Sequence, residues 1–129
     1  MPDPLIDHVS LAVTDLDQSR RFYDAVLPPL GITLLSSDGR IAAYHRGGPD
    51  EFLLIRSDEA PLPLPGSHVC FSAPSREAVR EFHRTGVAAG GKDNGSPGLR
   101  PHYSAVYYAA FLTDPDGHRI EAVTRGPDE

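Results

Sequence analysis

His8-Val9-Ser10-Leu11 and His68-Val69-Cys70-Phe71 stand 60 residues apart and share one pattern, a histidine opening an apolar strand. The same offset sets Arg20 on Arg80, Phe22 on Phe82 and Gly31 on Gly91. The identities are few, but they fall at corresponding points. Self-similarity at a fixed offset marks a duplicated structural unit. The 129 residues therefore read as one domain of two halves, about 5–60 and 66–125, joined by the Pro-rich stretch 61–66.

In the first half, residues 7–13 alternate as a strand, with the His on one face and Val on the other. Asp15 and Asp17 offer N-cap chemistry to a helix whose apolar stripe is Phe22, Val26, Leu27 and Leu30. Pro28-Pro29 and Gly31 close it. Strands are expected at 32–35, 41–44 and 52–55, with a turn at Asp38-Gly39. In the second half, Ser75 caps a helix striped by Ala78, Val79 and Phe82 and ended by the glycines of 86–91. Strands 106–113 and 119–123 flank a hairpin turn, Asp114-Pro115-Asp116-Gly117. Residues 92–102, rich in Gly, Pro and Asn, are expected to form a loop, and loops of that length in compact domains are often functional. The fold class is α+β: two βαβββ repeats forming a curved, partly closed mixed sheet with helices on the outer face.

Composition narrows the partners. Hydrophobic residues make up 40% of the chain, enough for one core. The net charge of −6, from 12 basic and 18 acidic side chains, disfavours nucleic acid. No apolar run approaches the roughly 20 residues that cross a membrane. The N-terminus has no signal-peptide pattern, and the lone Cys70 suits a reducing compartment. The expectation is a soluble, cytoplasmic protein.

The duplication also carries chemistry. His8 and His68 open equivalent strands, so pseudo-twofold symmetry is expected to aim both at one cavity. Glu121 sits inside the apolar run Ile120-Glu121-Ala122-Val123, where an unpaired carboxylate is costly and a cation is its natural partner. Two imidazoles and one carboxylate suit a divalent transition metal with open coordination positions: Fe, Mn, Ni, Co or Zn. Tyr107 shares strand parity with Phe111 and is expected to face the cavity as a donor, while Tyr108 faces the helices. His102, in the expected loop, is a candidate acid or base. Arg100 beside it is a candidate for binding a substrate carboxylate or phosphate. Cys70 shares parity with His68, but an inert buried thiol is the expectation. His45, His83 and His118 are expected to be exposed.

His8-Val-Ser-Leu-Ala-Val-Thr-Asp-Leu-Asp-Gln-Ser with Phe22-Tyr23, and Phe111-Leu-Thr-Asp114-Pro-Asp-Gly117-His-Arg-Ile-Glu121, resemble the opening and closing motifs of the vicinal oxygen chelate superfamily. That superfamily holds glyoxalases, extradiol dioxygenases, fosfomycin-resistance enzymes and bleomycin-resistance proteins. The segment from Asn94 to Tyr103, followed by Tyr107-Tyr108-Ala-Ala-Phe111, resembles an uncharacterised bacterial glyoxalase-like branch. The resemblance implies metal ligands at His8, His68 and Glu121. Beside these ligands, the catalytic candidates read from the residues are Glu121, His102 and Tyr107, and the substrate-contact candidates are Arg100, Tyr107 and Phe111. Glyoxalase I has a further ligand at a position that repeat geometry sets near Leu53, which cannot coordinate. Extradiol dioxygenases carry a Tyr where this chain has Phe111. The implied function is a metal-dependent lyase, isomerase or dioxygenase whose small substrate chelates the metal through adjacent oxygens. The alternative is a non-catalytic binder of a small molecule or antibiotic. Many members pair as homodimers, and the resemblance leaves the oligomeric state of this chain open between monomer and homodimer.

Overall fold

The computed structural model describes residues 4–61 and 63–126, so Leu62 of the expected linker lies outside the described residues. The first unit runs β1 (Val9–Val13), α1 (Leu16–Val26), a 3-10 turn (Pro28–Leu30), β2 (Thr33–Ser37), β3 (Ile41–His45) and β4 (Phe52–Arg56). The second runs β5 (His68–Ser72), α2 (Arg76–Ala88), β6 (Lys92–Leu99), β7 (Tyr108–Thr113) and β8 (Arg119–Thr124). Both are βαβββ. The curved sheet expected from the repeat is realised as two open four-stranded mixed sheets, ordered β1-β4-β3-β2 and β5-β8-β7-β6. In each, the first strand pairs parallel with the last, and the other ladders are antiparallel.

Local chemistry fixes the helices. The Asp15 carboxylate accepts from the Gln18 amide at 3.0 Å, and Ser75 Oγ from the Ala78 amide at 3.0 Å, as N-caps do. Gly31 takes the left-handed conformation (φ 80°) that ends the 3-10 turn. Phe22, Tyr23 and Val26 of α1 and Val79 and Phe82 of α2 are fully buried in one core with Leu54, Leu112 and Ile120. Gly86 lets α2 approach β7 closely: a Cβ there would lie 2.3 Å from Leu112 Cδ1.

The expected loop is not formed. Most of 92–102 is not a loop but the edge strand β6, paired with β7 from Lys92↔Thr113 to Leu99↔Tyr108. An edge strand needs hydrogen bonds on one side only, and the register shifts at Asp93/Gly95 and Gly95/Gly98 absorb the irregular residues. Pro97 is thereby tolerated. The turn proper begins at Arg100, and β7 begins at Tyr108, later than expected.

The units are stapled through their first strands. Each presents an outward carbonyl near its end, at Ala12 in β1 and at the equivalent Ser72 in β5. His118 Nε2 donates to Ala12 O at 2.7 Å, and Arg46 Nη2 donates to Ser72 O at 2.7 Å. Thr14 Oγ1 donates to Asp116 at 2.7 Å. Tyr23 donates to the buried Asp114 at 2.6 Å, and Asp114 also accepts the amides of Asp116 and His118. Burial raises the Asp114 carboxyl above its ordinary value, against the lowering effect of the Tyr23 hydrogen bond. His45, His83 and His118 are half-buried rather than exposed, because each holds a neighbour: Gly48 O, Asp93 and Ala12 O.

Candidate functional site

Strand pairing sets the geometry. Cys70 is the register partner of Glu121, and Glu121 that of Phe111, so His68, Cys70, Glu121 and Phe111 share one face of the second sheet. The opposite alternation sends Val69, Phe71, Ile120 and Leu112 towards the helices. Glu121 is 2% exposed. Its Oε1 lies 2.9 Å from His68 Nε2, and its Oε2 accepts the Tyr107 hydroxyl at 2.5 Å. Tyr107 therefore shares the sheet face of Phe111, as strand parity predicts. Tyr108 turns to the helix side, under the guanidinium groups of Arg76 and Arg80.

Two groups respond to the buried carboxylate. Desolvation first, then Glu121, pushes the Tyr107 hydroxyl well above its ordinary value. Cys70 keeps solvent contact, contrary to the expected buried thiol, since it lies on the open face of an edge strand. Partial burial of its sulfur and the nearby Glu121 still push the thiol up to about 12.

The other candidates occupy two further places. Tyr103 packs edge-on against Tyr107 at 4.9 Å between ring centroids, and His102 lies tilted against Tyr103 at 4.2 Å. His102 thus stands two rings away from Glu121. Arg100 folds back on its own strand, donating to Gly98 O at 2.9 Å and Ser96 O at 2.8 Å, with its guanidinium over the Phe111 ring. Gly95 makes room for this stack: a Cβ there would lie 2.9 Å from Phe111 Cδ1. His8 belongs to the first unit. Its side chain is half-exposed, and its Nδ1 bonds to Asp7 at 2.8 Å. Across from it the register places Leu53, the equivalent of Glu121, opposite Ser10.

His68 and Glu121 fit two corners of a metal site. Donor atoms that share a first-row cation at about 2.0–2.2 Å sit roughly 3 Å apart. The 2.9 Å hydrogen bond between Nε2 and Oε1 holds the two donor atoms near that separation. A carboxylate this buried, with no Lys or Arg ion pair among the described residues, is one a cation would relieve. His8 is not brought to this pair within one chain. Among the described residues, no three of His, Cys, Asp and Glu gather closely enough to hold an ion.

One residue escaped sequence reasoning. Arg125, just beyond β8, lays its guanidinium over the Tyr107 ring at 5.0 Å. Its parity with Glu121, four residues earlier on an alternating strand, was the available signal.

Residues 5–122 match the family model described as the Glyoxalase/Bleomycin resistance protein/Dioxygenase superfamily. Among solved structures, a glyoxalase/bleomycin resistance protein from Albidiferax ferrireducens is 32% identical, with a TM-score of 0.84. That match covers 93% of this chain and 98% of the other. A fosfomycin resistance protein, FosX, from Listeria monocytogenes, solved with Mn(II) and 1S,2S-dihydroxypropylphosphonic acid, shares the fold at 19% identity and a TM-score of 0.69. It covers 95% of this chain and 90% of its own. FosX from Mesorhizobium loti does so at 16% and 0.70, covering 98% and 95%. No curated protein matches the chain.

Proposed function

The chain belongs to the Glyoxalase/Bleomycin resistance protein/Dioxygenase superfamily, and from that premise we propose a divalent-metal-dependent enzyme acting on a small substrate with adjacent oxygens. The observation that carries this reading is the His68–Glu121 pair, a nearly buried carboxylate against an imidazole on an open sheet face. His68 and Glu121 would hold the metal, Fe, Mn, Ni, Co or Zn, with His8 as third ligand. FosX, a relative in fold, was solved with Mn(II). Once bound, such an ion supplies Lewis-acid chemistry to a chelating substrate, of lyase, isomerase or dioxygenase type.

The chain's own residues do the rest. Tyr107 fixes the Glu121 carboxylate through Oε2. Its hydroxyl is a hydrogen-bond donor beside the site. Phe111 and Tyr103 wall the face, and His102 extends that wall as an outlying acid or base. Because His8 stands apart from the pair within one chain, a homodimer that brings the first-unit face of one copy to the second-unit face of another would complete the ligand set. The half-buried Ile41, Leu53 and Ile55 give that first-unit face an apolar surface to cover. No helix of the described residues is long and apolar enough to cross a membrane, and the single cysteine suits a cytoplasmic protein.

Elemental analysis of the wild type beside Glu121→Ala tests the reading. About one transition metal per chain, lost in the variant, is expected. No metal even after reconstitution with each candidate ion overturns it. One observation favours a second reading, a binder without catalysis: both Glu121 oxygens are already satisfied by His68 and Tyr107. Metal-free protein that binds but turns over none of the catechols, 2-oxoaldehydes or glutathione adducts would establish that alternative.

A further inference from the structure

Arg125 and Arg100 both lie over aromatic rings of the second-unit face, but their donors are spent differently. Arg100 gives two of its N–H groups to the carbonyls of Ser96 and Gly98. It is a staple of its own strand and turn. Arg125 is exposed, and among the described residues it has neither a hydrogen-bond acceptor nor a carboxylate partner. Lying over the Tyr107 ring engages none of its N–H groups with an acceptor among the described residues. The donors around its edge stay free, in the planar fork that matches an oxyanion. The ring also restricts the side chain's rotamers, so less entropy is lost when an anion arrives. Tyr107 links this cation to the centre of the face, since the hydroxyl of the same ring is bound to Glu121. The chain as a whole is acidic, at −6, so an anion reaches this face only where a local cation offsets the field.

We propose that Arg125 is the anion anchor of this face, and that the substrate carries an oxyanion, a carboxylate or a phosphate-type group, on a flat apolar body. The body would lie along the wall formed by Tyr103, Tyr107 and Phe111, with its oxyanion in the Arg125 fork. The proposal rests on reading this face as the substrate site.

Calorimetric titration of EDTA-treated protein with benzoate, phenylphosphonate and neutral benzamide tests it, since no metal is then required. Binding of at least one anion, weakened by salt and about tenfold or more by Arg125→Gln, is expected. The stronger of the two anions identifies the carboxylate or the phosphate-type group. Arg125→Lys keeps the charge without the fork and is expected to fall between wild type and Gln. Equal binding of benzamide, unchanged affinity in Arg125→Gln, or no binding of either anion to the wild type overturns the proposal. Metal content keeps the two readings apart. Arg125→Gln should retain the metal of the wild type, whereas a wild type that binds the anion but no metal sinks only the metalloenzyme reading.

Discussion

The two units share one backbone plan and differ in what they show on their open faces. At three equivalent positions the first unit has Ser10, Leu53 and Ala43, and the second has Cys70, Glu121 and Phe111. Only the leading histidine is common. In the first unit His8 faces solvent and pairs with Asp7. In the second, His68 closes on a nearly buried carboxylate. Duplication therefore supplied two identical frames, and one strand position, Leu or Glu, decides which of them holds a charge.

The comparison is broken most severely by giving the second unit the residue of the first. Glu121→Leu should abolish metal binding and lower turnover by at least about a hundredfold, since loss of supporting groups alone costs 10–100-fold in such sites. Its thermal midpoint should stay level or rise, because a buried carboxylate gives way to an apolar side chain while His68 and Tyr107 regain water. A collapse in stability would instead make Glu121 structural. Gly95→Ala is next. The added Cβ collides with Phe111, so a loss of about 1–3 kcal/mol is expected in denaturant unfolding, together with weakened substrate binding. Tyr107→Phe removes one donor from the Glu121 carboxylate. We expect a loss of about 1 kcal/mol and a shift in the pH dependence of metal uptake, with wild-type behaviour contradicting the role assigned to the hydroxyl.

The smallest effect concerns the seam. The folded state raises the Asp114 carboxyl, so its contribution to stability is fully present below the ordinary carboxylate range. It is lost as pH rises through the raised folded value. Asp114→Asn keeps an acceptor for the Asp116 and His118 amides and offers its amide to the Tyr23 oxygen. Unfolding curves across acidic pH should show a flatter dependence in this variant, with about 1 kcal/mol or less of change at neutral pH.

Much of this was legible in the sequence. The 60-residue offset gave both units, the caps at Asp15 and Ser75 gave the helix starts, and strand parity put Tyr107 and Phe111 on one face. Parity works because the pleat leaves each residue only two directions. Three things were hidden. Residues 92–99 became a strand because β7 needed a partner, a tertiary demand that overrode a composition of Gly, Asn and Pro. Symmetry suggested that His8 would converge on His68, yet among the described residues no third His, Cys, Asp or Glu joins His68 and Glu121 closely enough to hold an ion. Arg100 looked free because the sequence does not reveal that a side chain will turn back to its own carbonyls.

The staples at Ala12 and Ser72 also bear on how the chain avoids its own copies in the wrong place. β1 and β5 are edge strands, and an edge with unpaired carbonyls is a template on which another chain's strand can grow. Arg46 and His118 occupy one such carbonyl on each edge. The remaining edges, β2 and β6, are interrupted by register shifts, and Pro97 removes a donor from β6. All four rims of the two sheets are thus blunted against strand-by-strand growth into fibres.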